Sequence, residues 1–514
     1  MKQKLIRVLT YFYLYILAMM VMFNTINSLL RTTYFELYKD METAKYKWDN
    51  PILILAVSGV LFAILYFSHN WMMKIKWFDI IAIGFGGIFS LVTVLIVRAM
   101  AICDGVALSD IAVAFMQNSY ETFDQGEYMF NYSFQIGMAA LLEVIYRLFG
   151  VENYLVFQII NVIAIIIFLW ILNRITWELF EDEKIRRLES AFSIGMLPLY
   201  LFSTFVYGDV IGWAFGISAV YLVIRYLKAN RWQCLPCAGI LFSAGVIVKT
   251  NINILVVAAA IALMLHAIYN TRYVALIWTV FFVIVSQLGV YGVQAIYVHR
   301  AGLQEYPGGI PKIAWVAMSM QETDEGGYAC GWYNGYNWDV YRVNNYDREA
   351  ATQASLKNLG QSLYKLAHEQ RYAVNFFYKK FSSQWNAPTF QAMISNEWGM
   401  RHTNNTSRLA HFFVYERGRD ILYEIMNIYH FFVFLCTAVF FILRRKRWSL
   451  PGAYYILNIF GGFLFHMIWE AQSRYVLGYF ILMLPLAACG CSNLIDIVNT
   501  LIERNITEEK HEIV

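Results

Sequence analysis

The chain has 514 residues, of which 59% are hydrophobic and only 15% charged. A soluble domain carries about 25% charged residues, so an ordinary soluble fold is excluded. The net charge of +4, with no basic tract interleaved with aromatics, excludes a nucleic-acid groove.

In chain order, apolar runs fall near 8–29, 51–67, 78–98, 153–173, 190–206, 210–226, 234–249, 252–268, 274–296, 424–443, 450–468 and 476–492. Crossing about 30 Å of hydrocarbon takes roughly 20 residues, so these predict an all-α polytopic membrane protein with about twelve spans. The 36 Tyr, 38 Phe and 15 Trp suit a bilayer with two interfaces. The first run lacks a small-residue cleavage site and is expected to be a retained helix. Four parts are expected: an additional N-terminal hairpin of spans (1–77), a core with a first external loop at 99–150 (78–298), an external lid with an amphipathic helix (299–423), and the last spans with a tail (424–514).

Lys and Arg orient the spans. Met1-Lys2-Gln3-Lys4, Lys74 and Lys76, Lys184 to Arg187, Arg225 to Arg231, Arg272 and Arg444-Arg445-Lys446-Arg447 mark every second loop as cytoplasmic. Both termini are then inside. The loop 99–150, the segment 299–423 and the turn Glu470–Tyr475 share the other face. Segment 31–50 also falls there, though it is mildly basic. Cys234 and Cys237 form a lone CxxC in an apolar run and read as packing rather than a metal site. Cys103 and Cys330 share the external face, which leaves a disulfide open.

The loop 99–150 carries two acids, Asp104 and Asp110, six apart and so on different faces of one helix. Tyr128 and the run Tyr132-Ser133-Phe134-Gln135-Ile136-Gly137 follow, then an amphipathic stretch that Gly150 should stop. These residues resemble the membrane-embedded glycosyltransferases of the GT-C fold. More narrowly, they resemble the bacterial family-39-like enzymes related to protein mannosyltransferases and aminoarabinose transferases. That family opens its first external loop with an essential acid, then shows Phe, Gly–x–Tyr, Tyr–Pro–x–Gln–x–Gly and Phe–Gly. Here Asp104, Phe115, Gly126, Tyr128, Tyr132 to Gly137 and Phe149-Gly150 take those places. Ser133 stands where relatives often have Pro.

The resemblance implies inverting transfer from a polyprenyl-phosphate-linked sugar. That chemistry needs a carboxylate to take a proton from the attacking hydroxyl. It also needs positive charge on the departing phosphate. Asp104 is the base candidate, against a plain helix-cap Asp. Asp110 could assist or hold a divalent cation. Asp209, after Tyr207-Gly208, could contact the acceptor, a metal or a phosphate-binding Lys, or be half of a simple turn. Lys249 ends an apolar run on the external side and wants an anion, unless it only snorkels. Glu470 and Arg474 are spaced i,i+4 and could pair, or Arg474 could hold phosphate bidentately. Tyr128, Gln135 and Tyr475 support the set. A Mg or Mn ion would fall to Asp104 and Asp209.

Within 299–423 the aromatic cluster Gly326-Gly327-Tyr328 to Trp338 suits sugar rings or a lid equally. Residues 348–382, with Lys365, Lys379 and Lys380, read as one amphipathic interfacial helix, broken at Gln384–Pro388. The reading is an envelope glycosyltransferase, expected in a bacterial plasma membrane with its site outside. Its partners are the carrier-linked sugar, membrane lipid and an unknown acceptor. The alternative is a transporter or flippase for lipid-linked saccharide without catalysis; a third is an assembly scaffold.

Overall fold

The computed structural model describes residues 2–38, 41–271, 273–322, 329–443 and 448–512. Arg272, Arg444 to Arg447 and Gly326-Gly327-Tyr328 lie outside them. The fold is all-α and polytopic, 79% helical, with very little strand. Among the described residues nine helices are long and apolar enough to cross a membrane: Thr10–Leu30, Pro51–Lys74, Phe78–Val97, Tyr154–Phe180, Asp209–Ala229, Thr250–Asn270, Val274–Ala301, Arg417–Leu443 and Leu484–Arg504. The run at 234–249 forms a shorter apolar helix, Cys234–Val248. The run at 450–468 forms the helix Leu450–Ile468.

Two predicted spans are broken. The run 190–206 begins inside the helix Glu183–Ile194, restarts as Leu197–Leu201 and ends in a 3-10 turn at Phe202–Thr204. Gly195 and Pro198 supply the stop and the restart, since proline tolerates only the first helical turn. The run 476–492 divides into Ser473–Ile481 and a helix starting at Leu484, with Pro485 in its first turn. The single amphipathic helix expected over 348–382 is also two, Arg348–His368 and Gln370–Trp385, separated by the non-helical Glu369. The second ends where Asn386 was expected to break it.

Segment 31–50 holds an element the sequence reading lacked. Strands β1 (Arg31–Tyr38) and β2 (Met41–Trp48) pair antiparallel, with Arg31 opposite Trp48 and Tyr38 opposite Met41.

Irregular chain beside a membrane core must still satisfy its backbone groups. Helix Tyr154–Phe180 supplies the partners. Gln158 Nε2 donates to the carbonyls of Ala99 (2.8 Å) and Thr204 (2.9 Å), and Asn161 Nδ2 to those of Ser203 (3.2 Å) and Phe205 (2.9 Å). These bonds fix the two segments that lead to Asp104 and Asp209. Gln158→Leu leaves two buried carbonyls unpaired. It is expected to lower stability by about 2 kcal/mol, read from thermal unfolding in detergent; an unchanged midpoint would rule the bridge out as a support.

Candidate active site

Each candidate side chain sits where a helix begins or ends. Asp104 opens the helix Asp104–Met116, after Cys103, whose backbone is left-handed at φ 48°. A non-glycine residue keeps such a conformation only where its surroundings hold it. Asp209 opens Asp209–Ala229, Lys249 caps the end of Cys234–Val248, and Arg474 is second in Ser473–Ile481. Glycines let these ends meet. A Cβ on Gly137 would lie 1.9 Å from the Ile247 carbonyl oxygen, and one on Gly208 would lie 2.4 Å from that of Val248. Only a residue without a side chain permits that approach. Gly150, at φ 100°, stops the helix Ile136–Phe149 as expected.

Lys249 and Asp209 are both buried, at 9% and 8% exposure. Lys249 Nζ donates to Asp209 Oδ2 at 2.9 Å. The same ammonium stands 4.4 Å from the Tyr207 ring centre and 5.1 Å from that of Tyr475. The Arg474 guanidinium faces the same two rings at 5.6 and 5.3 Å, with Phe205 at 5.4 Å. Two cations thus share one aromatic cage, whose ring faces offset their repulsion. Gln135 Nε2 donates to the Tyr207 hydroxyl and fixes that ring. The Arg474 Nε is buried with no hydrogen-bond partner in the protein. A buried guanidinium donor of that kind fits an anionic oxygen.

The Asp104 carboxylate is half-buried and acts electrostatically on Tyr128, Tyr207, Lys249 and Glu470. Burial first, and this carboxylate next, raise the Tyr128 phenol well above its ordinary range, so Tyr128 stays protonated. A narrow, mostly apolar crevice lined by Phe168, Leu199, Trp213 and Leu477 reaches Asp209 and Arg474. Asp104, Asp209, Lys249, Glu470, Arg474, Tyr475, Tyr128 and Gln135 therefore form one neighbourhood.

Several expectations need correction. Asp110 is exposed and acts on Tyr154, away from this cluster. Glu470 and Arg474 do not pair at helical spacing, because the chain at 470–472 is not helical and Gln472 (φ −151°, ψ 139°) is extended. Glu470 instead accepts from Gln472 Nε2 at 3.1 Å. Cys103 is exposed and Cys330 buried, and no disulfide joins them. Lys380, expected on the interfacial helix, is fully buried and its Nζ donates to the Ser319 carbonyl at 2.7 Å. Burial pushes it down to about 7.

The carboxylates named for a divalent cation are not free as a pair. Asp209 already receives the Lys249 ammonium, and among the described residues no group of three or more His, Cys, Asp or Glu side chains could hold a metal. The positive charge here belongs to Lys249 and Arg474.

Burial first pushes the Glu470 carboxyl from 4.5 up to about 7; Arg474 opposes this and Asp104 adds to it. The folded protein holds this proton more tightly than the unfolded chain. Its contribution to stability is therefore full below about pH 4.5 and lost as pH rises through about 7. Glu470→Gln should flatten the stability profile across that window by about 3 kcal/mol, read as melting temperature against pH. A variant with the wild-type slope would show that another group titrates there.

The sequence reading did not include Glu42 or Gln391. Gln391 Nε2 donates to Glu42, while its Oε1 accepts the Arg474 N–H at 3.1 Å. Neither carries a local signal, since one lies in a mildly basic strand and the other is a neutral amide after a proline turn.

Residues 136–291 match the model of the GT-C fold family described as Dolichyl-phosphate-mannose-protein mannosyltransferase. No curated protein matches the chain. The matched residues include Gln135's neighbour Ile136, Tyr207, Asp209 and Lys249, but not Asp104 or Arg474.

Proposed function

We propose that the chain is an inverting glycosyltransferase that moves a sugar from a polyprenyl-phosphate-linked donor to an acceptor hydroxyl on the extracytoplasmic face. The observation that carries this reading is the Lys249–Asp209 pair and Arg474 gathered at one aromatic cage, within electrostatic reach of the Asp104 carboxylate. A lipid phosphate needs cations for its oxygens, and the attacking hydroxyl needs a base nearby. The name of the matched family, with its dolichyl-phosphate mannose donor, agrees with that chemistry. The alternation of basic loops supports the outward-facing site.

In the proposed step the acceptor hydroxyl attacks the anomeric carbon while the bond from that carbon to the phosphate oxygen breaks. Asp104 takes the hydroxyl proton. The leaving polyprenyl phosphate gains one negative charge, which Lys249 and Arg474 stabilise. Asp209 holds Lys249 in place, and the Tyr207–Tyr475 cage keeps the two cations together. One displacement inverts the anomeric centre.

The test is transfer in proteoliposomes given a labelled polyprenyl-phosphate sugar. The expected result is released polyprenyl phosphate and a new glycosidic bond of opposite anomeric form. Movement of the labelled lipid across the bilayer with no new bond would favour a transporter.

A further inference from the structure

The N-terminal hairpin lies far outside the matched residues 136–291, yet it is built into the donor end of the site. The Thr33 N–H donates to the Asn386 carbonyl at 2.9 Å, and the Thr33 hydroxyl to that of Ser382 at 3.1 Å. The Phe35 ring meets Trp332 at 5.0 Å and joins a buried cluster with Ala387, Ile394 and Ala471. Ala471 sits between Glu470 and Arg474. Strand β2 then delivers Glu42 to Gln391.

Gln391 is fully buried, and both ends of its amide are used. Its oxygen accepts the Arg474 backbone N–H (3.1 Å) and the Ser473 hydroxyl (3.3 Å); its nitrogen donates to Glu42. An amide presents an oxygen on one side and two N–H donors on the other. Here the Glu42 carboxyl oxygen Oε2 is the acceptor, so it takes the N–H side of that amide. It therefore sets which way the Gln391 amide points, and so whether the backbone N–H of Arg474 meets an oxygen. Phe390 and Gln391 both hold left-handed backbone, φ 47° and 67°, which the surroundings must enforce. Arg474 and Glu42 also interact directly through their charges.

We propose that Glu42 is a positioning residue for the donor-phosphate site: acting through Gln391, it fixes the start of the helix that carries Arg474. The hairpin between the first two spans is then part of the transferase site rather than a separate anchor. This rests on the reading of Arg474 as a phosphate-holding residue.

The experiment titrates undecaprenyl phosphate against the full-length protein in nanodiscs. Glu42→Ala and Gln391→Leu are each expected to weaken binding about tenfold, and the double variant no further, because the two residues act as one unit. Glu42→Gln keeps an acceptor oxygen and should bind within about twofold of wild type. Rescue by that variant separates positioning from simple loss of packing. Wild-type affinity in Glu42→Ala, or losses that multiply in the double variant, would overturn the proposal. Should Glu42→Ala fold poorly, Glu42→Asp, whose shorter carboxylate falls short of Gln391, runs the same cycle. Arg474→Ala is measured in parallel. Unchanged affinity there defeats the phosphate reading, and this proposal with it. A loss there beside an unaffected Glu42→Ala defeats the hairpin's role alone.

Discussion

Asp104→Asn is expected to lower kcat by about 10³-fold while leaving the affinity for the carrier phosphate within about twofold. Positioned general bases contribute between about 10² and 10⁴ in rate, and 10³ corresponds to about 4 kcal/mol of transition-state stabilisation. The split between rate and affinity is what distinguishes a base from a merely structural acid. Asp104 is the first residue of its helix, where a carboxylate is favourable whatever its other duties. Asparagine suits a helix start as well, so a structural Asp would lose only tenths of a kcal/mol on that change. Stability should hardly move, and turnover should nearly vanish. Asp110→Asn is the matched control: that side chain is exposed and turned toward Tyr154, and turnover should stay within about twofold of wild type. Full turnover by Asp104→Asn would remove Asp104 from the mechanism.

The long spans were legible because a bilayer imposes one strong rule on composition. The runs at 8–29, 51–67, 78–98 and 153–173 all became helices of membrane length. The misread spans failed for a local reason. The runs at 190–206 and 476–492 are apolar enough, but Gly195 and Pro198 divide the first and Pro485 restarts the second. Hydropathy counts residues and does not see those breaks. The charges were legible for a related reason. An acid or a base at the edge of an apolar run is costly unless it has a partner, so Asp209 and Lys249 stood out singly. They proved to be each other's partner, the one among several contacts open to Asp209 that the fold selects. Gln391 and Glu42 were invisible because their contact joins positions 349 apart in sequence. It depends on a strand pair and on left-handed backbone at two non-glycine residues. No window of sequence contains those facts.

The Lys249–Asp209 pair allows stability and chemistry to be separated. Lys249→Met removes a cation of the proposed phosphate site and also strands a buried carboxylate. Breaking a buried ion pair on one side costs about 3–5 kcal/mol, since the remaining charge stays out of water without compensation. Asp209 begins a helix, whose N-terminal N–H groups soften that loss and place the expectation near about 3 kcal/mol. Adding Asp209→Asn removes the stranded charge, and the double variant should recover most of the lost melting temperature. Transfer should not recover with it, because the phosphate still lacks the Lys249 ammonium. Two measurements on the same proteins, melting temperature and turnover, should therefore diverge in the double variant. If turnover returned together with stability, the pair would be a structural bridge, and Arg474 alone would have to carry the phosphate.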